Sequence, residues 1–235
     1  MAVESGPTPL GTALPDAELP DLDGNRVALR EFAAHGAVLV VFSANHCPYV
    51  KWVEREIAAI AGENPDLHAV AICSNDAVEY PEDDVAGLRD QKTRAGWNFP
   101  YLIDTEQDVA REFGAVCTPD FFLYDSDGRL TYRGALDASS PKNGQPLTGD
   151  LLREAVRLTL NGEPVPRTAS GRPWAAASSG GTHDPAHRSA DHRGRPGRAL
   201  CRVLRGFPRV PHSHLRHPAG DRRADFRNVS GEAHL

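Results

Sequence analysis

Cysteine is scarce in this sequence, lysine is missing from residues 167–235, and no long apolar run occurs anywhere. Four cysteines among 235 residues are too few for a disulfide scaffold. Reduced thiols and a cytoplasmic location are therefore expected. No stretch approaches the roughly 18 apolar residues needed to span a bilayer, which excludes a membrane-spanning helix. The opening MAVESGPTPLG has neither the basic region nor the apolar core of a secretory signal, and no membrane partner is expected.

Charge is divided unevenly. Residues 1–166 hold 13 Lys and Arg against 27 Asp and Glu, whereas residues 167–235 hold 13 Arg against 5 acids. One folding unit seldom switches composition so sharply, so the chain is read as a domain over 1–166 and a basic tail over 167–235. The tail is rich in Arg, His, Pro, Gly and Ala without a sustained hydrophobic period. Such a segment cannot bury enough apolar surface to offset its ordering entropy, and disorder is expected. A basic arm that grips nucleic acid would need aromatic interleaving or a recognition motif; neither is present, and no nucleic-acid partner is expected. The histidines at 212, 214 and 217 have no suitably spaced cysteine or acid. An adventitious nickel or zinc site is the most they support, so no metal or cofactor is expected.

Within the domain, residues 1–19 read as an extended arm. Leu22-Asp23-Gly24-Asn25-Arg26-Val27 carries a hairpin turn. The run AVLVVF at 37–42 predicts a strand covered on both faces. Pro48 opens a helix to about residue 61, with Val50, Val53, Ile57 and Ile60 at helical spacing. Residues 67–73 (LHAVAIC) form a second buried strand. Helices follow over 85–96 and 108–113, then strands over 121–124 and 130–134 around Asp125-Ser126-Asp127-Gly128, and a closing helix over 149–160. The order β-β-β-α-β-α-α-β-β-α predicts a three-layer α/β/α sandwich with a mixed sheet and an N-terminal hairpin.

The sharpest local feature is Ser43-Ala44-Asn45-His46-Cys47-Pro48-Tyr49-Val50-Lys51 at a strand-to-helix junction. Cys47 occupies the helix cap and Pro48 the first helical position, where a missing N–H costs nothing. A thiolate there is stabilised by unpaired N–H groups and the positive helix end, with His46 and Lys51 as further positive groups, and the redox reading takes the sulfur as open to solvent. Taken alone, Cys47 is equally read as a small buried hydrophobe. Ala115-Val116-Cys117-Thr118-Pro119-Asp120 places a proline just before an apolar strand. It is read either as a cis bond in a tight turn or as an ordinary first-residue proline. Asp76, Tyr80, Glu82, Asp83 and Asp84 read as a solvated acidic turn, and Trp52 and Trp97 as cover for the core.

Together these segments resemble the thioredoxin-like redoxins related to alkyl hydroperoxide reductase and thiol-specific antioxidant proteins. The likeness is to the branch with a C-N-H-C-P-Y-V-K active site. It rests on Leu14-Pro15-Asp16, the Asn45-to-Lys51 block, Ser74-Asn75-Asp76 and Tyr80-Pro81-Glu82-Asp83. It continues through Phe99-Pro100-Tyr101-Leu102, the Cys117-to-Tyr124 block, Tyr132-Arg133-Gly134 and Asn143-Gly144. The resemblance implies a thioredoxin fold over residues 10–166, with Pro119 facing Cys47 and the backbone beside it pairing with substrate. It also implies Cys47 and Cys117 as catalytic residues, and His46, Pro48, Thr118 and Pro119 as substrate-binding ones. Cys73 and Cys117 would share one sheet edge with Cys47, so a Cys47–Cys117 or Cys47–Cys73 disulfide follows as a possibility, against Cys73 as a plain core residue. Asp120 would lie across the proline turn, as an acceptor for the thiol proton.

Two departures stand out. The first cysteine of the motif is Ala44, so dithiol reduction through this pair is excluded. The P-x-x-x-T-x-x-C peroxidatic pattern is also missing, with Val40 and Ala44 in the Pro and Thr positions. Second, the family's closing P-S-x-G-C-x-I-K-W segment is absent as written. One permitted codon choice for residues 172–180, read two bases later, encodes S-M-G-C-S-I-K-W. Residues from about 169 onward are thus compatible with an out-of-frame reading, which sequencing the gene decides. The expected function is a thiol oxidoreductase or antioxidant acting on a protein disulfide or peroxide, served by an external thiol reductant. The alternative is a thioredoxin-fold binding module that lost catalysis with Ala44. The sequence leaves the oligomeric state open.

Overall fold

The structure is a computed structural model that describes residues 8–166. The readings of 167–235 as a disordered basic tail, an out-of-frame segment or a histidine metal site lie outside the described residues. In chain order the elements are β1 (Glu18–Pro20), β2 (Arg26–Ala28), α1 (Leu29–Ala33), β3 (Ala37–Phe42), α2 (Pro48–Glu63) and β4 (Leu67–Cys73). A 3-10 turn (Pro81–Asp83), α3 (Val85–Ala95), β5 (Tyr101–Ile103), α4 (Asp108–Phe113), β6 (Asp120–Tyr124), β7 (Leu130–Gly134) and α5 (Asp150–Leu160) follow.

The main sheet has the order β5-β4-β3-β6-β7. β3 and β4 are parallel, as are β4 and β5, while β6 runs antiparallel to both β3 and β7. Two right-handed crossovers stepping in one direction must lie on one face of a sheet. α2 and α3 obey this. Val53, Ile57 and Ile60 of α2 and Leu88 of α3 join Leu39, Val41, Ala71 and Phe121 in one core, to which α5 adds Leu152 and Val156. The chain then steps back across the sheet, so α4 covers the other face. There Val109, Ala110 and Phe113 pack with Leu29, Val38, Val40, Phe42, Ile72 and Phe122. The continuous apolar run in β3 is thus divided between two cores by the period-two alternation of a strand.

The expected three-layer α/β/α sandwich is present, with two elements beyond the expected order. β5 is three residues long and pairs with one strand, β4, apart from a bridge between Asp21 and Leu102. α1 spans five residues, little more than one turn, with Leu29 as its buried anchor. Both are too short to display a period in the sequence. The hairpin β1–β2 turns on Asp21, whose carboxylate accepts from the N–H groups of Asp23 and Asn25 at 2.8 and 2.9 Å. The arm before it is stitched to the β7 end of the sheet through Gly11, Thr12 and Leu14.

Phe113 meets Phe42, Phe122 and Tyr124 edge to face. Phe113→Ala is expected to cost about 3–5 kcal/mol in urea unfolding. Val78→Ala, at a residue 90% exposed, should stay within about 0.5 kcal/mol of the unaltered protein.

Candidate active site

β3 delivers the chain to its carboxyl edge at Phe42, where open α/β sheets place their sites. Residues 43–46 then turn into α2. Cys47 caps the helix with extended backbone and Pro48 follows at its first position. The turn is closed by the Cys47 N–H, which donates to the Ala44 carbonyl at 3.4 Å. From the other side comes the loop before β6, with a cis peptide bond between Thr118 and Pro119. The two loops meet at one contact: the Cys47 thiol donates to the Thr118 carbonyl, Sγ to O 3.3 Å.

Cys47 is 4% exposed and packs with Ala44 and Val50. This corrects the expectation of a thiol open to solvent. The helix tip is where the sequence places it, but the proline loop lies over the sulfur. Cys117 is buried, its Sγ 3.9 Å from the Pro119 carbonyl oxygen. Cys73 faces the α2 side of the sheet within the main core, and burial pushes its thiol up to about 12. All three are thiols rather than disulfide halves, and Cys73 and Cys47 pack in separate clusters.

His46 is held from three directions. Its Nδ1 lies 2.5 Å from Asp83 Oδ2, its backbone N–H donates to Asp83 Oδ1 at 3.0 Å, and its ring stacks on Tyr80 with centroids 4.3 Å apart. The reading of residues 76–84 as a solvated acidic turn is therefore overturned at Asp83. That side chain is fully enclosed and also accepts from Asn75 Nδ2 at 2.6 Å. Burial alone would raise its carboxyl, but the hydrogen bonds from His46 and Asn75 outweigh it and hold the group below the usual range. Asp84 caps α3 through the Gly87 N–H.

Gly87 lets α3 approach the 3-10 turn, since a Cβ there would sit 2.1 Å from the Glu82 carbonyl oxygen. Lys51 pairs with Glu82 at 3.7 Å. The carbonyl of Thr118, not a carboxylate, is the acceptor seen at the Cys47 thiol, and Asp120 has a partner of its own. Strand alternation turns it to the α4 face, where it pairs with Arg133 at 3.2 Å beside Phe122.

The profile of the AhpC/TSA family matches residues 10–133. The chain belongs to the AhpC/TSA family. A hypothetical protein from Sinorhizobium meliloti 1021 is 43% identical with a TM-score of 0.67, over 69% of this chain and 90% of that one. An uncharacterized conserved protein from Geobacillus kaustophilus is 42% identical with a TM-score of 0.67, over 70% and 88%. The thioredoxin domain of a thiol-disulfide oxidoreductase from Bacteroides vulgatus shares the fold at 16% identity and a TM-score of 0.51, over 65% and 99%. No curated protein matches.

This AhpC/TSA domain holds its Ala44-to-Cys47 loop by contacts the sequence did not announce. Asn45 donates to the carbonyls of Glu82 and Gly87, both at 2.9 Å, and accepts from Arg94 at 2.9 Å. Arg94 forks onto Glu54 at 2.8 and 2.9 Å. One signal was available: Glu54 interrupts the apolar stripe of α2, and a buried acid requires a partner. Trp97 covers the core as expected, its indole N–H donating to the Glu54 carbonyl. Trp52 instead lies 38% exposed and donates to Ser139 Oγ. Among the described residues, Thr118 Oγ1 and Asn75 Oδ1 are buried without a hydrogen-bond partner. Also among them, no group of three or more His, Cys, Asp or Glu is arranged for a metal, and no helix is long and apolar enough to cross a membrane.

Because the folded Asp83 carboxyl lies below its ordinary value, the stability it contributes is present above about pH 4 and lost as pH falls through the lowered value. Asp83→Asn should cost roughly 1–3 kcal/mol at pH 7. The deficit should shrink toward zero in acid, as measured by urea unfolding at a series of pH values.

Proposed function

We propose that this domain is a thiol oxidoreductase that acts on a disulfide or peroxide through Cys47 as a single site thiol. One contact supports the reading most: Cys47 Sγ at the start of α2 lies 3.3 Å from the Thr118 carbonyl, beside cis Pro119. The backbone of Thr118 and Pro119 is then the edge that an extended substrate would meet, with His46 and Pro48 on the helix side. An unpartnered buried hydroxyl costs about 1–3 kcal/mol, which a substrate group bonded to Thr118 Oγ1 would recover.

In this reading the Cys47 thiolate attacks one sulfur of R–S–S–R′. The bond Cys47–S–S–R forms and R′–S⁻ leaves. An external thiolate R″–S⁻ then attacks the sulfur of R, restoring the Cys47 thiolate and releasing R–S–S–R″. Alternatively Cys117 resolves the adduct, giving a Cys47–Cys117 disulfide that external thiols reduce. Ala44 leaves no sulfur in the other motif position, so the usual dithiol route is closed.

A second reading, a binding module without catalysis, is favoured by Ala44 and by the enclosure of the thiol. Iodoacetamide labelling mapped to peptides separates the two. Cys47 should react at neutral pH at least about ten-fold faster than Cys73, whose burial holds it as thiol. Cys47→Ser should abolish reduction of a small disulfide. A Cys47 as inert as Cys73, in a protein that still captures peptides, would establish the binding module. Ala44→Cys should raise disulfide reduction about ten-fold or more by supplying an attacking sulfur; no gain would count against Cys47 as a redox thiol.

A further inference from the structure

We propose that His46 is the proton-transfer residue of this site and that the buried Asp83 positions it, an inference that rests on the thiol oxidoreductase reading above. Asp83 is an ionised carboxylate and accepts only, so the imidazole nitrogen facing it, Nδ1 at 2.5 Å, carries a proton. The neutral ring is thereby fixed in the tautomer whose Nε2 has the lone pair.

Nε2 is the ring nitrogen that Asp83 does not take. The Nδ1 edge faces an enclosed carboxylate, one ring face is stacked on Tyr80 at an interplanar angle of 11°, and the side chain keeps 20% exposure. The residue next in the chain is Cys47, whose own thiol proton is engaged by the Thr118 carbonyl. Nε2 is thus committed to neither Asp83 nor the resting thiol, on the residue that adjoins Cys47 in the chain.

The step balances without an added oxidant. An aliphatic thiol R″–SH loses its proton to Nε2 as its sulfur attacks the R sulfur of Cys47–S–S–R. The S–S bond to Cys47 breaks, and the imidazolium returns the proton to the departing thiolate. The products are Cys47–SH and R–S–S–R″. The charged and polar groups on the elements around Asp83 are engaged as well: Glu82 and Lys51 pair with each other, Asp84 caps α3, and Asn75 shares the Asp83 carboxylate.

The test uses the full chain. Cys47 is loaded with hydroxyethyl disulfide, and loss of the adduct from the Cys47 peptide under N-acetylcysteine is followed by mass spectrometry. His46→Ala is expected to slow that loss about 100-fold, within the usual range for a general base, and added imidazole should restore part of it. Asp83→Asn should slow it roughly ten-fold, as loss of an orienting partner does, and flatten its pH profile. Tyr80→Leu, which keeps the carboxylate, should give a smaller loss and covers the case in which Asp83→Asn does not fold. A rate unchanged in His46→Ala, or a deficit that imidazole leaves untouched, overturns the inference while the oxidoreductase reading stands. A Cys47 that never takes up the adduct at any pH overturns the oxidoreductase reading itself.

Discussion

Six consecutive apolar side chains in β3, from Ala37 to Phe42, have to be hidden from water on both faces of one strand. The rest of the fold answers that requirement. β4 and β6 flank the strand, α2, α3 and α5 close one face, and α1 and α4 with the N-terminal arm close the other. A strand buried in this way is held in register, because a slip by one residue would exchange the two faces. That rigidity reaches the site. The turn that carries Ala44 to Cys47 begins at the end of β3, and the loop that carries Thr118 and Pro119 ends where β6 pairs with it, Asp120 opposite Phe42. The central pairing thus sets the distance between the thiol and the proline loop.

Two features meet at Cys47. The first turn of α2 presents unpaired N–H groups and the positive end of its dipole. Ala44 and Val50 enclose the sulfur, and the thiol donates to the Thr118 carbonyl. Cys73 lies on a strand inside the core, where burial pushes its thiol up to about 12. Of the three buried thiols among the described residues, the AhpC/TSA domain thus keeps one beside a helix terminus and one in an aliphatic interior.

Buried acids organise the surroundings of that thiol. Asp83 takes His46 and Asn75, and Glu54 takes Arg94, which in turn holds Asn45. The two middle residues of the Ala44-to-Cys47 turn are each fixed by a charged group from elsewhere in the chain. A carboxylate out of water is tolerated when its lone pairs are filled, and removing one partner leaves the other exposed to the full desolvation cost. The Ala44-to-Cys47 loop is consequently stiffer than its polar sequence suggests.

The strands at 37–42, 67–73 and 130–134 and the helices at 48, 85, 108 and 150 were legible because each shows an apolar period or a turn signal long enough to read. β5 and α1 were not, having three and five residues. Cys47 at a helix cap and a proline turn ahead of β6 were equally local facts of the chain. What tertiary structure decided was the enclosure of Cys47, the turning of Asp120 toward Arg133, and the capture of His46 by Asp83 across 37 positions of sequence. Periodicity and capping are properties of neighbouring residues and can be read in order. Burial and the pairing of charges depend on which distant segments the fold lays against them, and no local pattern carries that information.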